Sequence, residues 1–65
     1  MSISENIRNE RLKNNMTQEE LSGKLGITQS ALAAFERGSK NPSAPLLCVM
    51  CDVFGISADK LLGRV

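Results

Sequence analysis

The 65-residue sequence contains no histidine, tryptophan or tyrosine, and its aromatic residues are two phenylalanines. Histidine is the side chain that most often moves protons in enzymes, and it is a common ligand of zinc. The sequence also lacks a glycine-rich loop for a nucleotide phosphate and a convincing acid and base pair. We therefore expect a protein that binds and does not catalyse, with no catalytic residue, cofactor or metal.

Cysteine is scarce as well, and the two present, Cys48 and Cys51, form a CxxC motif inside the apolar run LLCVMCDVF. Without a histidine or a third cysteine, one subunit cannot complete a four-ligand zinc site. A free cysteine in an apolar run usually packs as a small hydrophobic residue. We place both cysteines in the core, while a redox pair and a metal shared between subunits remain alternatives.

No apolar run approaches the roughly 20 residues of a membrane span, and the polar start MSISENIRNE lacks the apolar segment of a signal peptide. We expect a cytoplasmic location and no membrane partner.

Eight basic and seven acidic residues give a net charge of +1, so any affinity for phosphate must come from where the basic residues lie. The length predicts a single domain, 1–65, near the lower size limit for an unstapled core.

The segment from Thr17 to Gly38, TQEELSGKLGITQSALAAFERG, predicts two short helices joined by a tight turn at Gly26. Thr17 and Glu20 have the spacing of a capping box at the start of the first helix, and Thr28 can cap the second. Apolar residues recur at helical spacing on both sides of the turn. These residues are Leu21, Leu25, Leu32 and Phe35.

A first helix is predicted ahead of this pair. Ser4 is its expected cap, and Asn14 and Asn15 mark its end, because asparagine tolerates the left-handed conformation that often terminates a helix. One stripe along this helix is expected to face the core. It consists of Ile3, Ile7, Arg11 and Leu12.

Two helices are predicted after the breaker-rich segment GSKNPSAP. The fourth runs from near Ala44 to about Phe54 and ends at Gly55, with Pro45 in its first turn, and a short fifth follows Ser57. No strand pattern is present, so the predicted fold class is all-α with five helices. The expected core comprises Ile7, Leu12, Leu21, Leu25, Ile27, Leu32, Phe35, Leu47, Cys48, Met50, Cys51, Phe54, Ile56, Leu61 and Leu62.

The third helix has a side that could contact DNA bases. With Leu32 and Phe35 pointing inward, we expect four residues of its first two turns to face outward. Glutamine can pair with adenine, serine can donate or accept, and alanine can touch a thymine methyl. An ordinary solvated helix surface is the alternative, which the two alanines favour. The four residues are Gln29, Ser30, Ala33 and Ala34.

Nearly the whole chain resembles the Cro and phage-repressor class of helix-turn-helix regulators, also called the xenobiotic-response-element family. The ordered set of matching residues is more specific than any single match. It comprises Ile7, Arg11, Leu12, Thr17 to Leu21, Leu25, Gly26, Gln29, Ser30, Glu36 to Gly38, Asn41, Pro42 and Gly55 to Leu62. The resemblance implies a compact, lambda-repressor-like DNA-binding domain whose second and third helices form the helix-turn-helix.

The same resemblance implies roles for individual residues. Gln29 and Ser30 would contact bases, Ala34 would assist, and Gln18 would brace Gln29 and bind a phosphate. An ion pair between Arg11 and Glu36 would fix the third helix against the first. The residues expected to contact or support the DNA backbone are Thr17, Gln18, Thr28, Arg37, Ser39, Lys40 and Asn41.

Apolar residues in the last two helices predict self-association. Leu46 and Val49 stand where the family commonly has polar residues, and with Val53 they form an extra apolar stripe on the fourth helix. A second apolar group lies near the end of the chain, and for these residues packing in the core is as good an explanation as self-association. This group consists of Leu61, Leu62 and Val65.

We therefore predict a homodimer that binds duplex DNA in the major groove and regulates transcription, as a repressor. The alternative of another class is a protein-interaction module with the same fold, such as an antitoxin or anti-repressor that uses the apolar stripe of the fourth helix. A third hypothesis, a thiol redox switch, requires an exposed cysteine of low pKa.

Overall fold

The computed structural model describes residues 2–64, and over that range the chain forms five α-helices and no strand. The all-α, five-helix prediction is confirmed. The helices are α1 (Ile3–Lys13), α2 (Gln18–Leu25), α3 (Gln29–Arg37), α4 (Ala44–Phe54) and α5 (Ala58–Leu61). None of these helices is both long and apolar enough to cross a membrane.

Each helix starts at a side chain that caps it. Thr17 forms the expected capping box: its hydroxyl accepts from the Glu20 N–H, and the Thr17 N–H donates to the Glu20 carboxylate at 3.0 Å. That backbone hydrogen bond lowers the pKa of the Glu20 carboxyl. Thr28 caps α3 by accepting from the Ala31 N–H. Ser43 and Ser57 cap the last two helices in the same way.

The expected cap of α1 was wrong by two residues. Ser2, and not Ser4, accepts from the Glu5 N–H, and the Glu5 carboxylate accepts from the Ser2 N–H in return. The Ser-x-x-Glu spacing that defines a capping box is met only when Ser2 is the cap. The end of α1 is as expected, since Asn14 is its C-terminal cap and Asn15 has φ +56°.

A core at the centre of the five helices receives side chains from all of them. The amide of Asn6 supports it by donating to the Leu61 carbonyl at 2.9 Å, which joins α1 to α5 across 55 positions of sequence. The buried apolar residues are Ile7, Leu21, Leu25, Leu32, Phe35, Met50, Cys51, Phe54 and Leu61. Ile27, Leu47 and Ile56, also expected inside, are half-buried and pack against this group.

Three residues expected in the core are exposed. Leu12 is 50% exposed because it lies about 140° around α1 from the fully buried Ile7. Cys48 is exposed because it lies about 160° around α4 from the fully buried Met50. Leu62 is 36% exposed because α5 ends at Leu61 and the next side chain turns outward.

Two glycines of the α2 segment differ in what they require. Gly26 ends α2 with φ +69°, the left-handed conformation that strains residues with a Cβ, so the turn into α3 depends on it. Gly23 lies inside α2 and is exposed, and a Cβ added there would have no heavy atom within 4 Å. Nothing in the structure requires glycine at position 23.

We therefore predict that Gly23→Ala stabilises the domain by about 0.5–1 kcal/mol, because alanine loses less backbone entropy in a helix. Urea unfolding followed by circular dichroism measures the change. Gly26→Ala is the matched control, since its Cβ would also meet no atom within 4 Å but its φ is +69°. This control should lose about 1–2 kcal/mol, and a gain there would contradict the explanation.

Candidate nucleic-acid interface

The α2–α3 unit presents the first turn of α3 to solvent. Leu32 and Phe35 are buried and hold the opposite side of α3 against the core. Gln29 and Ser30, which begin the helix directly after its cap, are exposed. The N-terminal end of α3 therefore presents an amide and a hydroxyl that a binding partner can contact.

The two alanines predicted beside them differ in exposure. Ala33 is half-buried and lies one turn after Gln29 on the same side. Ala34 is 7% exposed, so the prediction that it faces outward is wrong. It lies about 100° around α3 from the buried Phe35, and its carbonyl accepts hydrogen bonds from the backbone N–H and the hydroxyl of Ser39.

The predicted pair of Arg11 and Glu36 is present and well formed. Arg11 Nε lies 2.8 Å from Glu36 Oε2, and Arg11 Nη2 lies 3.0 Å from Glu36 Oε1. This two-point contact suits the planar guanidinium and carboxylate groups. The side chains are only 11% and 4% exposed, and Arg11 Nη1 also donates to the Met16 carbonyl at 2.9 Å. One arginine thus ties α1, the α1–α2 loop and α3 together.

Gln18 joins this network, and its partner differs from the expected one. Its Nε2 donates to Glu36 Oε1 at 3.2 Å, so in this structure it contacts Glu36 and does not brace Gln29. The carboxylate of Glu36 therefore accepts three hydrogen bonds, two from Arg11 and one from Gln18. Gln18 thereby supports the last turn of α3, whereas we expected it to support Gln29 in the first turn.

The residues predicted to contact or support a DNA backbone lie at the start of α2 and at both ends of α3. The hydroxyls of Thr17 and Thr28 are used as helix caps. After Gly38 ends the helix, the segment 39–41 is exposed, and Ser39 Oγ donates to the Ala34 carbonyl at 3.2 Å. Arg37, Lys40 and Asn41 are exposed, and none of the hydrogen bonds between side chains over residues 2–64 includes them.

A shallow cleft beside α3 contains a residue that the sequence analysis did not select, Arg8. This arginine lies on α1, one turn before Arg11, and is exposed. The i, i+3 spacing of the two arginines was the available sign that both lie toward the same neighbouring helix. The cleft is lined by Arg8, Gln18, Ala33, Glu36 and Arg37.

The apolar stripe expected on α4 is mostly packed against the core. Leu46 and Val53 are half-buried there, and Val49 is the large hydrophobic residue of the stripe that remains 41% exposed. Leu61 is 1% exposed, so its assignment to a partner surface was wrong, because its side chain completes the core. Leu62 is exposed, and Val65 lies outside the described residues.

The cysteines share one helix and have different surroundings. Both are free thiols, Cys48 exposed and Cys51 buried. Burial raises the pKa of the Cys51 thiol, which is opposite to the shift that activates a redox cysteine. Within residues 2–64, no three side chains of metal-ligating type come together.

Comparison with known proteins gives consistent results. A family model described as helix-turn-helix matches residues 7–61. The HTH-type transcriptional regulator YqaE of Bacillus subtilis is 37% identical over 60 residues, which are 92% of this chain and 52% of YqaE. The phage CTXphi transcriptional repressor RstR of Vibrio cholerae is 33% identical over 64 residues, 98% of this chain and 57% of RstR.

A third relative has a different kind of name: the antitoxin PezA of Streptococcus pneumoniae is 30% identical over 62 residues, 95% of this chain and 39% of PezA. The chain spans about half the length of the curated relatives it matches.

Among solved structures, the P22 c2 repressor in complex with synthetic operator 9T superposes with a TM-score of 0.89 at 27% identity. That match covers 95% of this chain and 94% of the repressor chain.

The buried ion pair leads to a stability prediction. Arg11→Met leaves the Glu36 carboxylate buried with Gln18 as its remaining side-chain donor, so we expect a loss of about 3–5 kcal/mol in the free energy of unfolding. The double variant Arg11→Met/Glu36→Leu should lose less, because no charge is left without its partner. Equilibrium unfolding in urea measures both.

Lys13→Gln is the control for this experiment, since the Lys13–Glu10 pair is also an ion pair of α1 but the lysine side chain is 64% exposed. Its loss should stay below about 1 kcal/mol. If Arg11→Met costs no more than Lys13→Gln, the ion pair does not hold α3 in the way inferred from its burial.

Proposed function

This chain belongs to the helix-turn-helix family whose model it matches, and from that premise we propose that it is a sequence-specific DNA-binding transcriptional repressor. It binds duplex DNA in the major groove through α3. The observation that carries this proposal is the exposed pair Gln29 and Ser30 on the first turn of a helix held by a buried ion pair. The similarity to a repressor bound to its operator supports it.

The first turn of α3 supplies the chemistry for reading base edges. An α-helix fits the major groove of B-DNA, where adenine presents an acceptor and a donor side by side. The amide of Gln29 can pair with both, and the hydroxyl of Ser30 can donate or accept. The half-buried Ala33 offers its methyl group to a thymine methyl. The buried Ala34 is left out of the proposed reading surface.

Residues after α3 hold the DNA backbone in this proposal. Arg37, Lys40 and Asn41 are exposed and follow one another where α3 ends, so they can reach phosphates beside the groove that α3 enters. Contacts of this kind set the register of the protein on DNA without reading its sequence. With a net charge of +1, the chain depends on this local placement for its affinity.

We propose that the functional unit is a homodimer acting in the bacterial cytoplasm, where operator DNA is found, and that it acts by binding alone, without catalysis. A two-fold dimer places two reading helices about 34 Å apart on one face of the duplex. The exposed Val49 on α4, flanked by the half-buried Leu46 and Val53, is the proposed contact between the subunits. Leu62 is a second exposed leucine that such a contact can cover.

A second function is favoured by the similarity to PezA, an antitoxin. In this alternative the same α4 stripe binds a different protein, and α3 contributes nothing to the biological effect. The two functions separate by mutation. Val49→Asp would then abolish the effect in cells while Gln29→Ala leaves it intact, whereas a DNA-binding repressor requires Gln29.

We predict that Gln29→Ala weakens binding to the preferred DNA site by roughly 1–3 kcal/mol and relaxes one base position, because a base-edge pair is lost. Selection from random duplexes with the wild-type chain, at two salt concentrations, identifies that site. Repeating the selection with the variant identifies the relaxed position.

Lys40→Ala provides the contrast in the same experiment, because a phosphate contact should weaken all sequences alike and lower the salt slope by about 1. Lys60→Ala, which removes an exposed lysine of α5, is its charge-matched control and should change neither quantity. If Gln29→Ala and Lys40→Ala both weaken every sequence equally, the assignment of Gln29 as a base reader is wrong.

The proposed dimer contact predicts that Val49→Asp raises the dimer dissociation constant at least about tenfold, since a charge would be buried without a partner. Sedimentation equilibrium, with and without an operator duplex, measures the constant. Leu12→Asp is the matched control, because Leu12 is also an exposed apolar residue but lies on α1. A wild-type chain that stays monomeric at high micromolar concentration, alone and on DNA, would rule out the dimer.

A further inference from the structure

We infer that Arg8 and Arg37 form a clamp for one phosphodiester of bound DNA, in the cleft between α1, the start of α2 and the last turn of α3. This inference rests on the proposed DNA-binding function and adds α1 to the contact surface. The clamp lies at the opposite end of α3 from Gln29.

The cleft brings two arginines from separate parts of the sequence to one place. Arg8 comes from α1 and Arg37 from the last residue of α3, and both line the same concave surface with Gln18 and Ala33. Over residues 2–64, no carboxylate lies within ion-pair distance of either guanidinium. Each arginine therefore keeps its full set of N–H donors for an outside partner.

Glu36 also lines this cleft, and its negative charge is already compensated. Its two oxygens accept from Arg11 at 2.8 and 3.0 Å and from Gln18 at 3.2 Å, and its side chain is only 4% exposed. The buried pair of Arg11 and Glu36 contributes no net charge. Arg8 and Arg37 then leave the cleft with a charge of about +2, although the whole chain carries only +1.

The shape of the site suits a phosphodiester. Two guanidinium groups can each direct paired N–H donors at the same tetrahedral anion, which is the geometry that makes arginine the usual phosphate ligand. Ala33 also lines the cleft and has no side chain beyond its methyl group, so it takes up little of the cleft's space. A longer side chain at position 33 would occupy the approach to this cleft.

The position of the cleft makes a DNA phosphate the natural occupant. Gln29, Ala33 and Arg37 follow one another at intervals of four residues, so they lie on one side of α3, with Arg37 about 12 Å along the axis from Gln29. When Gln29 enters the major groove, Arg37 and the neighbouring Arg8 are left toward the groove edge, where the backbone runs. A contact there would fix the angle of α3 in the groove.

The test compares Arg8→Gln with Arg64→Gln on the selected operator and on an unrelated duplex, each across a series of salt concentrations. Arg64 is exposed, lies beyond α5 and does not line the cleft, so its removal controls for the loss of one positive charge. We expect Arg8→Gln to weaken binding to both duplexes roughly tenfold and to lower the salt slope by about 0.9. Arg64→Gln should leave both unchanged.

A double variant tests whether the two arginines share one phosphate. If they do, Arg8→Gln/Arg37→Gln should lose less affinity than the product of the two single losses, because the second substitution removes a contact that the first has already weakened. Losses that multiply would assign the arginines to separate phosphates and overturn the clamp. Thermal unfolding should show that all variants remain folded, since neither arginine has an ion-pair partner within residues 2–64.

The remaining outcomes distinguish this inference from the proposed function. If the wild-type chain binds the operator and Arg8→Gln behaves like Arg64→Gln, the clamp is overturned and DNA binding stands. If the wild-type chain binds no duplex even at low salt, both proposals are overturned together.

Discussion

The ion pair between Arg11 and Glu36 is the interaction on which the proposed interface depends. It joins the first helix to the last turn of α3 through two short hydrogen bonds, and the same arginine reaches the Met16 carbonyl before α2 begins. Buried pairs of this kind often contribute little net stability, because removing the charges from water costs about as much as their attraction returns. What the pair does provide is geometry: two fixed points that set the tilt and rotation of α3. Gln18 adds a third.

The Arg11–Glu36 pair is implied by the family resemblance, whereas the helix caps and the turn that the sequence predicted correctly are governed by local rules. Thr17, Thr28 and Gly26 act through hydrogen bonds or backbone angles within a few residues, so their patterns are readable without the rest of the chain. Ala34 could not be placed in this way. It lies about 160° around α3 from the buried Leu32 and is nevertheless only 7% exposed, so its burial does not follow from helical spacing.

The residues whose burial was predicted wrongly also show that local sequence does not determine which side of a helix is buried. Leu12 and Cys48 are apolar and lie in helices, yet they lie about 140° and 160° around their helices from a fully buried residue, on the side that faces solvent. The i, i+3 spacing of Arg8 and Arg11 indicates a shared side of α1, but it does not identify what lies beside Arg8. Only the meeting of α1 with the end of α3 gives it a neighbour in Arg37. The predicted base and backbone contacts remain predictions, since they concern a partner molecule.

The hydrogen bond from Asn6 to the Leu61 carbonyl has a consequence for how the domain is made. α5 has four residues, too few to persist as an isolated helix, and it is held by a residue of α1 that is synthesised 55 positions earlier. The contacts of α1 can therefore be complete only after nearly the entire domain has left the ribosome. A contact between residues so far apart in sequence costs loop-closure entropy when it forms, whereas helices form from local contacts. A partly synthesised chain that has not reached Leu61 therefore lacks the acceptor for the Asn6 amide, and α1 is without this contact to α5.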